Sequence, residues 1–212
     1  MTPTEVDLRP WTIIIPVKNL SLAKSRLVDF TPAHRRELAL AFALDTVTAA
    51  LETSLVRRVV VVTSDPDAKP CADLGAELLD DRPDAGLNPA LAHAAQVIRG
   101  TDPDASIAAL SADLPALTTL ELATVFDLMD SPYWFVGDAA GTGTTLLAAR
   151  GGHRLAPAFG PTSYAEHRAL GAQEASFDGL ARLRQDVDTP ADLKEAIRLG
   201  VGRHTRNALL VG

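Results

Sequence analysis

Apolar positions fall along this chain in two rhythms. Three short runs are apolar almost throughout and rich in β-branched residues: Trp11–Val17, Val56–Thr63 with four consecutive valines, and Ser106–Ser111. Runs of this length without polar alternation predict strands buried on both faces. Tyr133–Val136 and Thr145–Ala149 are weaker candidates of the same kind. The intervening segments carry helix signals. Thr31-Pro32 supplies a cap and a first-turn proline for a helix through about Leu51. Asn88-Pro89 does the same for a helix to about Ile98, closed by Gly100. Thr118 and Glu121 have capping-box spacing ahead of a helix to about Met129. Thr189-Pro190 starts a last helix, with Asp192 at its third position and Gly200 past its end.

Doubly buried strands alternating with helices predict an α/β fold with a mostly parallel central sheet, flanked by helices and joined by right-handed crossovers. No repeat or low-complexity linker divides the chain. A single domain over 1–212 is expected, with its core at about 11–200. The segment after Gly200 carries weak signals and is expected to be partly mobile.

A chain of 212 residues suits one well-cored domain, and 47% hydrophobic with 22% charged residues is an ordinary globular balance. The net charge of −7 argues against a general nucleic-acid binder, which needs a basic surface. It leaves small anionic ligands open, since a local basic loop or a metal ion suffices for those. The lone Cys71 permits no intrachain disulfide and has no Lys-His pair beside it, so a structural role is expected. The N-terminus has no signal-peptide core, and no apolar run approaches the roughly 20 residues of a membrane span. A cytoplasmic protein without a membrane partner is expected.

In open parallel sheets ligands collect at the carboxyl ends of strands. Lys18, Lys24 and Arg26 follow the first run within nine residues, a loop suited to a polyphosphate. A solvated basic loop is the plainer alternative. No glycine-rich dinucleotide or P-loop fingerprint is present. Asp113, in Ala112-Asp113-Leu114-Pro115, follows the third run, where it would hold Mg²⁺ or simply cap a turn. In Asp186-Val187-Asp188, an extended backbone turns both carboxylates to one face and Val187 to the core. Two carboxylates that close invite a cation, the plainer alternative being that Asp188 simply precedes a capped helix and Asp186 is exposed. Gly141-Thr142-Gly143-Thr144-Thr145 is a hairpin turn or a phosphate- or carboxylate-binding turn. Phe159-Gly160-Pro161-Thr162-Ser163 opens a helical stretch as a simple cap or an anion site. In Gly86-Leu87-Asn88, capping is the simpler role for Asn88 and reading a base edge the alternative. The five histidines show no metal-ligand pairing. His34 and His93 read as surface or packing residues, and His167 lies close to the candidate anion site, with a ligand role there as the alternative.

Together, a basic loop, three acidic positions and two small-residue anion sites point to triphosphate chemistry with a second, smaller anionic substrate. A phosphate nucleophile is ionised at neutral pH and needs no general base. It needs charge neutralisation at the α-phosphate and the pyrophosphate leaving group.

The ordered strings Ile15-Pro16-Val17-Lys18, Ala23-Lys24-Ser25-Arg26-Leu27, Leu87-Asn88, Ala112-Asp113-Leu114-Pro115, Gly141-Thr142-Gly143-Thr144, Phe159-Gly160-Pro161 and Asp186-Val187-Asp188-Thr189-Pro190-Ala191-Asp192-Leu193 resemble the CofC/FbiD family. These are the guanylyltransferases of deazaflavin coenzyme F-420 biosynthesis, and the resemblance runs over about Thr12 to Leu199. It implies a MobA-like nucleotidyltransferase fold. It implies GTP and Mg²⁺ as requirements, and transfer of GMP to phosphoenolpyruvate or 2-phospho-L-lactate with release of pyrophosphate. Carried onto this chain, Asp113, Asp186 and Asp188 hold metal ions, while Thr144, Gly160 and Ser163 hold the phosphorylated acid. Lys18, Lys24 and Arg26 meet the GTP phosphates, as the catalytic cations, and Leu87 and Asn88 meet the guanosine. The overall character is similar to the actinobacterial branch, which favours phosphoenolpyruvate. Thr162 departs from the pattern, where an acidic residue is expected. A downstream deazaflavin-transferring enzyme is an implied partner. Open alternatives are a molybdopterin-type nucleotidyltransferase, against which the absence of a Gly-Gly pair after the first strand counts, a sugar-nucleotide glycosyltransferase, and a non-catalytic nucleotide-sensing module.

Overall fold

The structure, a computed structural model, describes residues 11–210. Its centre is a seven-stranded sheet of order β3-β2-β1-β4-β6-β5-β7. The strands are β1 (Trp11–Pro16), β2 (Val56–Val62), β3 (Glu77–Leu79), β4 (Ser106–Leu110), β5 (Tyr133–Gly137), β6 (Thr144–Ala149) and β7 (Gln173–Glu174). β1, β2, β3 and β4 pair in parallel, as does β7 with β5. β6 runs antiparallel between β4 and β5. The sheet is therefore mostly parallel, with one reversed strand that the tight turn at 138–143 makes possible.

The buried runs of the sequence divide by strict alternation. Ile13 and Ile15, Val59 and Val61, Ala108 and Leu110, and Leu146 and Ala148 face one core. Ile14, Val60 and Val62, Ile107 and Ala109, and Leu147 and Ala149 face the other. A strand needs apolar residues at every position only when both faces are covered. The first face packs against α1 (Pro32–Leu51) and α4 (Thr119–Leu128), the second against α3 (Leu87–Thr101). The remaining helices are α2 (Pro70–Asp73), α5 (Ser163–Ala169), α6 (Ala181–Arg184), α7 (Pro190–Leu199) and α8 (Arg203–Leu210). Cys71 is fully buried on α2, and burial pushes its thiol up to about 11, as a structural cysteine requires.

Several helix signals hold and several need correction. Thr31 caps α1, and Thr189 forms a full capping box with Asp192 on α7. α3 begins at Leu87 rather than after Asn88, with Gly86 at the cap position, and it continues through Gly100 to Thr101. Asn88 is no cap, because its amide is engaged elsewhere. Thr118 accepts from the Glu121 backbone N–H, but the Glu121 carboxylate does not return to Thr118. Instead it accepts from the backbone N–H groups of Arg182 and Leu183, at 2.9 Å each, at the head of α6.

The weakly patterned segment after Gly200 is helical through Leu210 and packed on α1. Its start is capped from a distance. The buried Asp45 of α1 accepts from the backbone N–H groups of His204 at 3.0 Å and Thr205 at 2.9 Å. A Cβ at Gly202 would lie 2.3 Å from the Asp45 carboxylate, so only glycine lets the two segments approach this closely.

Candidate active site

The carboxyl ends of β2, β1 and β4 lie side by side, and their loops enclose a cleft of about 850 Å³. That size suits a nucleotide. Lys18, Lys24, Leu87 and Asp113 line it, while Arg26 and Asn88 do not. Four carboxylates not anticipated from sequence, Asp65, Asp67, Asp81 and Asp84, also line it. Asp65 shapes the basic loop: its carboxylate accepts from the backbone N–H groups of Leu20 at 2.8 Å and Asp67 at 3.0 Å. Its signal was the Thr63-Ser64-Asp65-Pro66 string directly after a strand. Lys18, half exposed, reaches to 3.8 Å from Asp81.

Behind this cleft the acidic positions converge. The backbone N–H of Val187 donates to the Asp113 carbonyl at 3.1 Å, which fixes the 186–188 segment beside the end of β4. Val187 is fully buried, so Asp186 and Asp188 flank a core residue, as the alternation predicts. Lys24 threads between the carboxylates. Its ammonium donates to Asp113 in a very short contact and to Asp188 at 2.9 Å. Its backbone takes φ of +55°, a region a lysine seldom adopts, which shows how tightly this loop is folded. Burial alone would lower the Lys24 pKa, but Asp113 and Asp188 outweigh it and raise the ammonium above its ordinary range. Arg26 lies 3.8 Å from Asp188 on the solvent side. Burial, reinforced by the charges of Asp113, Asp188 and Asp138, raises the Asp186 carboxyl to about 7, with Lys24 opposing. Asp138, at the end of β5, is thus a fourth carboxylate of the cluster. It also accepts from the Thr142 backbone N–H at 2.9 Å, and a Cβ at Gly143 would lie 2.5 Å from its carboxylate.

Among the described residues no three His, Cys, Asp or Glu side chains stand close enough together to hold a metal ion in this arrangement. What lies between Asp113 and Asp188 is the Lys24 ammonium. The donor set itself, hard carboxylate oxygens in excess of local cations, is the kind that Mg²⁺ takes.

The small-residue positions gather around the start of β6 and the head of α5. Thr144 opens β6, and its hydroxyl is buried 2.9 Å from Nδ1 of His167. Nε2 of the same ring accepts from the Ala158 backbone N–H at 3.0 Å. Asn88 clasps the next residue from both sides: its amide donates to the Phe159 carbonyl at 3.0 Å and accepts from the Phe159 N–H at 2.8 Å. Gly160 follows, exposed and with open space where a side chain would stand. Its carbonyl accepts from the Ser163 N–H at 3.1 Å, and Ser163, buried, begins α5. The Thr142 carbonyl accepts from the Tyr164 N–H at 3.0 Å, tying the turn before Thr144 to that helix. Thr162, the departure noted above, donates its hydroxyl to Glu166 at 2.6 Å.

Comparison with known proteins bears on what this arrangement does. The family model described as "Guanylyl transferase CofC like" matches residues 11–210. A phosphoenolpyruvate guanylyltransferase of Streptomyces avermitilis is 54% identical over 201 residues, covering 93% of this chain and 93% of its own. One of Streptomyces coelicolor is 52% identical over 198 residues, covering 92% of this chain and 93% of its own. Among solved structures, 4-diphosphocytidyl-2C-methyl-D-erythritol synthase superposes with a TM-score of 0.61 at 12% identity, over 90% of this chain and 98% of its own. That likeness shows a shared fold. This chain belongs to the CofC-like guanylyl transferase family.

Proposed function

We propose that this chain transfers GMP from GTP to phosphoenolpyruvate and releases pyrophosphate, as a Mg²⁺-dependent cytoplasmic step of coenzyme F-420 biosynthesis. The observation that carries the reading is the nucleotide-sized cleft at the carboxyl ends of β2, β1 and β4, with acidic and basic side chains gathered at it. Lys18 and Lys24 line a nucleotide-sized cleft next to Asp113, Asp186 and Asp188, and a separate small-residue arm carries Thr144, Gly160 and Ser163. The names of the relatives at 54% and 52% identity favour phosphoenolpyruvate over 2-phospho-L-lactate.

In this reading a phosphate oxygen of the acid attacks the α-phosphorus of GTP. The bond from that phosphorus to the β-phosphate oxygen breaks, and pyrophosphate leaves. The nucleophile is ionised at neutral pH, so no side chain must remove a proton. Lys18, Lys24 and Arg26 neutralise the triphosphate, and preorganised cations of this kind are worth most where charge develops on the leaving group. Asp113, Asp186 and Asp188 would hold Mg²⁺, which supplies charge neutralisation between two anionic reactants. Thr144, Gly160 and Ser163 orient the acid, and the reaction is then chiefly a matter of positioning. Leu87 lines the cleft where the nucleoside would lie. A deazaflavin-transferring enzyme that consumes the product belongs to the proposal, and no stimulation of turnover on mixing the two would count against that partner.

The reading is tested by pyrophosphate release with GTP and Mg²⁺, comparing phosphoenolpyruvate, 2-phospho-L-lactate and no acid, alone and coupled to the downstream enzyme. Acid-dependent release, faster with phosphoenolpyruvate, is expected. GTP binding without release under any of these conditions would leave the chain a nucleotide-sensing module.

A further inference from the structure

The His167 side chain is fully buried on α5 between two aromatic rings, with the Phe159 ring 5.2 Å and the Phe135 ring 6.0 Å from its own. Its two nitrogens face partners of different kinds. Nε2 meets the Ala158 backbone N–H, which can only donate, so this nitrogen must present a lone pair. Burial pushes the ring's pKa down to about 4, with Glu166 opposing, so the imidazole is neutral at pH 7 and carries one proton. That proton is on Nδ1, and it donates to Thr144 Oγ1 at 2.9 Å. The Thr144 hydroxyl therefore accepts from His167, and its own hydrogen has no acceptor among the described residues.

We infer that His167 is a positioning residue for the phosphorylated acid: its Nδ1–H makes the Thr144 hydroxyl an outward donor, while its Nε2 holds the strand of loop that leads into Gly160. This rests on the reading that Thr144 and Gly160 hold the acid. One ring then sets both sides of that pocket, and the group it selects opposite Thr144 is a hydrogen-bond acceptor, a carboxylate or phosphate oxygen. A ligand presenting a hydroxyl donor there would meet a hydroxyl already committed to donating. Neutrality of the ring matters as much as its place, since an imidazolium would lose the bond from Ala158.

Two experiments test this. The first reads the proton directly. In ¹⁵N-labelled protein at pH 7, two-bond ¹H–¹⁵N correlations distinguish the ring tautomers, and a His167→Gln spectrum assigns this ring among the five histidines. An Nδ1–H tautomer is expected, and an Nε2–H tautomer or an imidazolium would overturn the inference. The second separates the two substrates kinetically. His167→Gln keeps an acceptor near Ala158 but loses the donor to Thr144. Its KM for the acid should rise about 10- to 100-fold, the range of one hydrogen bond to a charged group, with the KM for GTP unchanged. Because the effect passes through Thr144, His167→Gln added to Thr144→Val should raise the acid KM no further than Thr144→Val alone. Additive effects, or equal changes in both KM values, would reduce His167 to a packing residue. A wild-type chain that turns over no acid, whatever the tautomer, would remove the functional reading and this inference with it.

Discussion

Replacing His167 by phenylalanine should change how stability depends on pH, and the size of the change can be worked out. The imidazole ordinarily titrates at 6.5 and is pushed down to about 4 in the folded chain. Below pH 6.5 the unfolded chain therefore takes up a proton that the folded chain refuses. The folded state loses stability as pH falls through this window, and the loss is complete below 4. Between pH 7 and pH 5 the linkage amounts to about 2 kcal/mol, and to roughly 3 kcal/mol over the full window. Asp186 works in the opposite sense. Its raised carboxyl binds a proton in the folded chain first, so it adds stability as pH falls from 7 toward 4. The wild-type profile alone mixes the two. The difference between wild type and His167→Phe isolates the histidine. Urea unfolding of both proteins at pH 7 and pH 5 is the assay. Phenylalanine should lower stability at pH 7, because Thr144 and the Ala158 N–H lose their partner, and should narrow the gap to wild type by about 2 kcal/mol at pH 5. Two parallel profiles would refute the claim that His167 is buried as a neutral ring.

Other residues give sharper tests of single roles. Lys24→Ala removes the ammonium that Asp113 and Asp188 share, and kcat/KM should fall by about 100-fold or more. A fall under tenfold in steady-state assays would remove Lys24 from the catalytic cations. Asn88→Ala frees both polar groups of Phe159, so stability should drop by about 1–3 kcal/mol in urea unfolding. In the same variant a rise confined to the acid KM identifies a clasp for the Gly160 loop, whereas a rise confined to the GTP KM identifies a guanosine contact. Asp45→Ala uncaps α8 and should lower stability by about 1–2 kcal/mol with turnover unchanged. An unaltered urea midpoint would show that the helix is held by its packing on α1 alone.

What the sequence made legible follows from how far its signals act. The strands β1, β2 and β4 are legible because burial on both faces leaves runs of apolar residues, Ile13–Ile15, Val59–Val62 and Ile107–Leu110. β3 and β7, three and two residues long, are too short to carry a period, and β7 draws its identity from its neighbour β5. The Asp186-Val187-Asp188 alternation is legible because one buried valine settles the side of both carboxylates. α8 carries little local signal because its cap, Asp45, lies 159 residues away in sequence. Long-range bonds also explain Asn88 and Glu121. Each has a side chain that fits a local cap, and each spends it on a distant backbone, at Phe159 and at the head of α6. Lys24 was legible as a cation at a strand end, but its place between Asp113 and Asp188 was not, because that needs the 186–188 segment folded back beside β4. His167 stood in sequence only as a histidine near a small-residue loop. Its meaning lies in which partner meets each nitrogen.

The central claim is that one site joins GMP to a phosphorylated acid. The most direct measurement is ³¹P NMR of the purified chain with GTP, Mg²⁺ and phosphoenolpyruvate, with an Asp186→Asn variant in parallel. The account predicts a coupled pair of phosphoanhydride resonances that grows in step with pyrophosphate, and neither in the variant. Release of pyrophosphate with free GMP and unchanged phosphoenolpyruvate, or unchanged GTP, would contradict it.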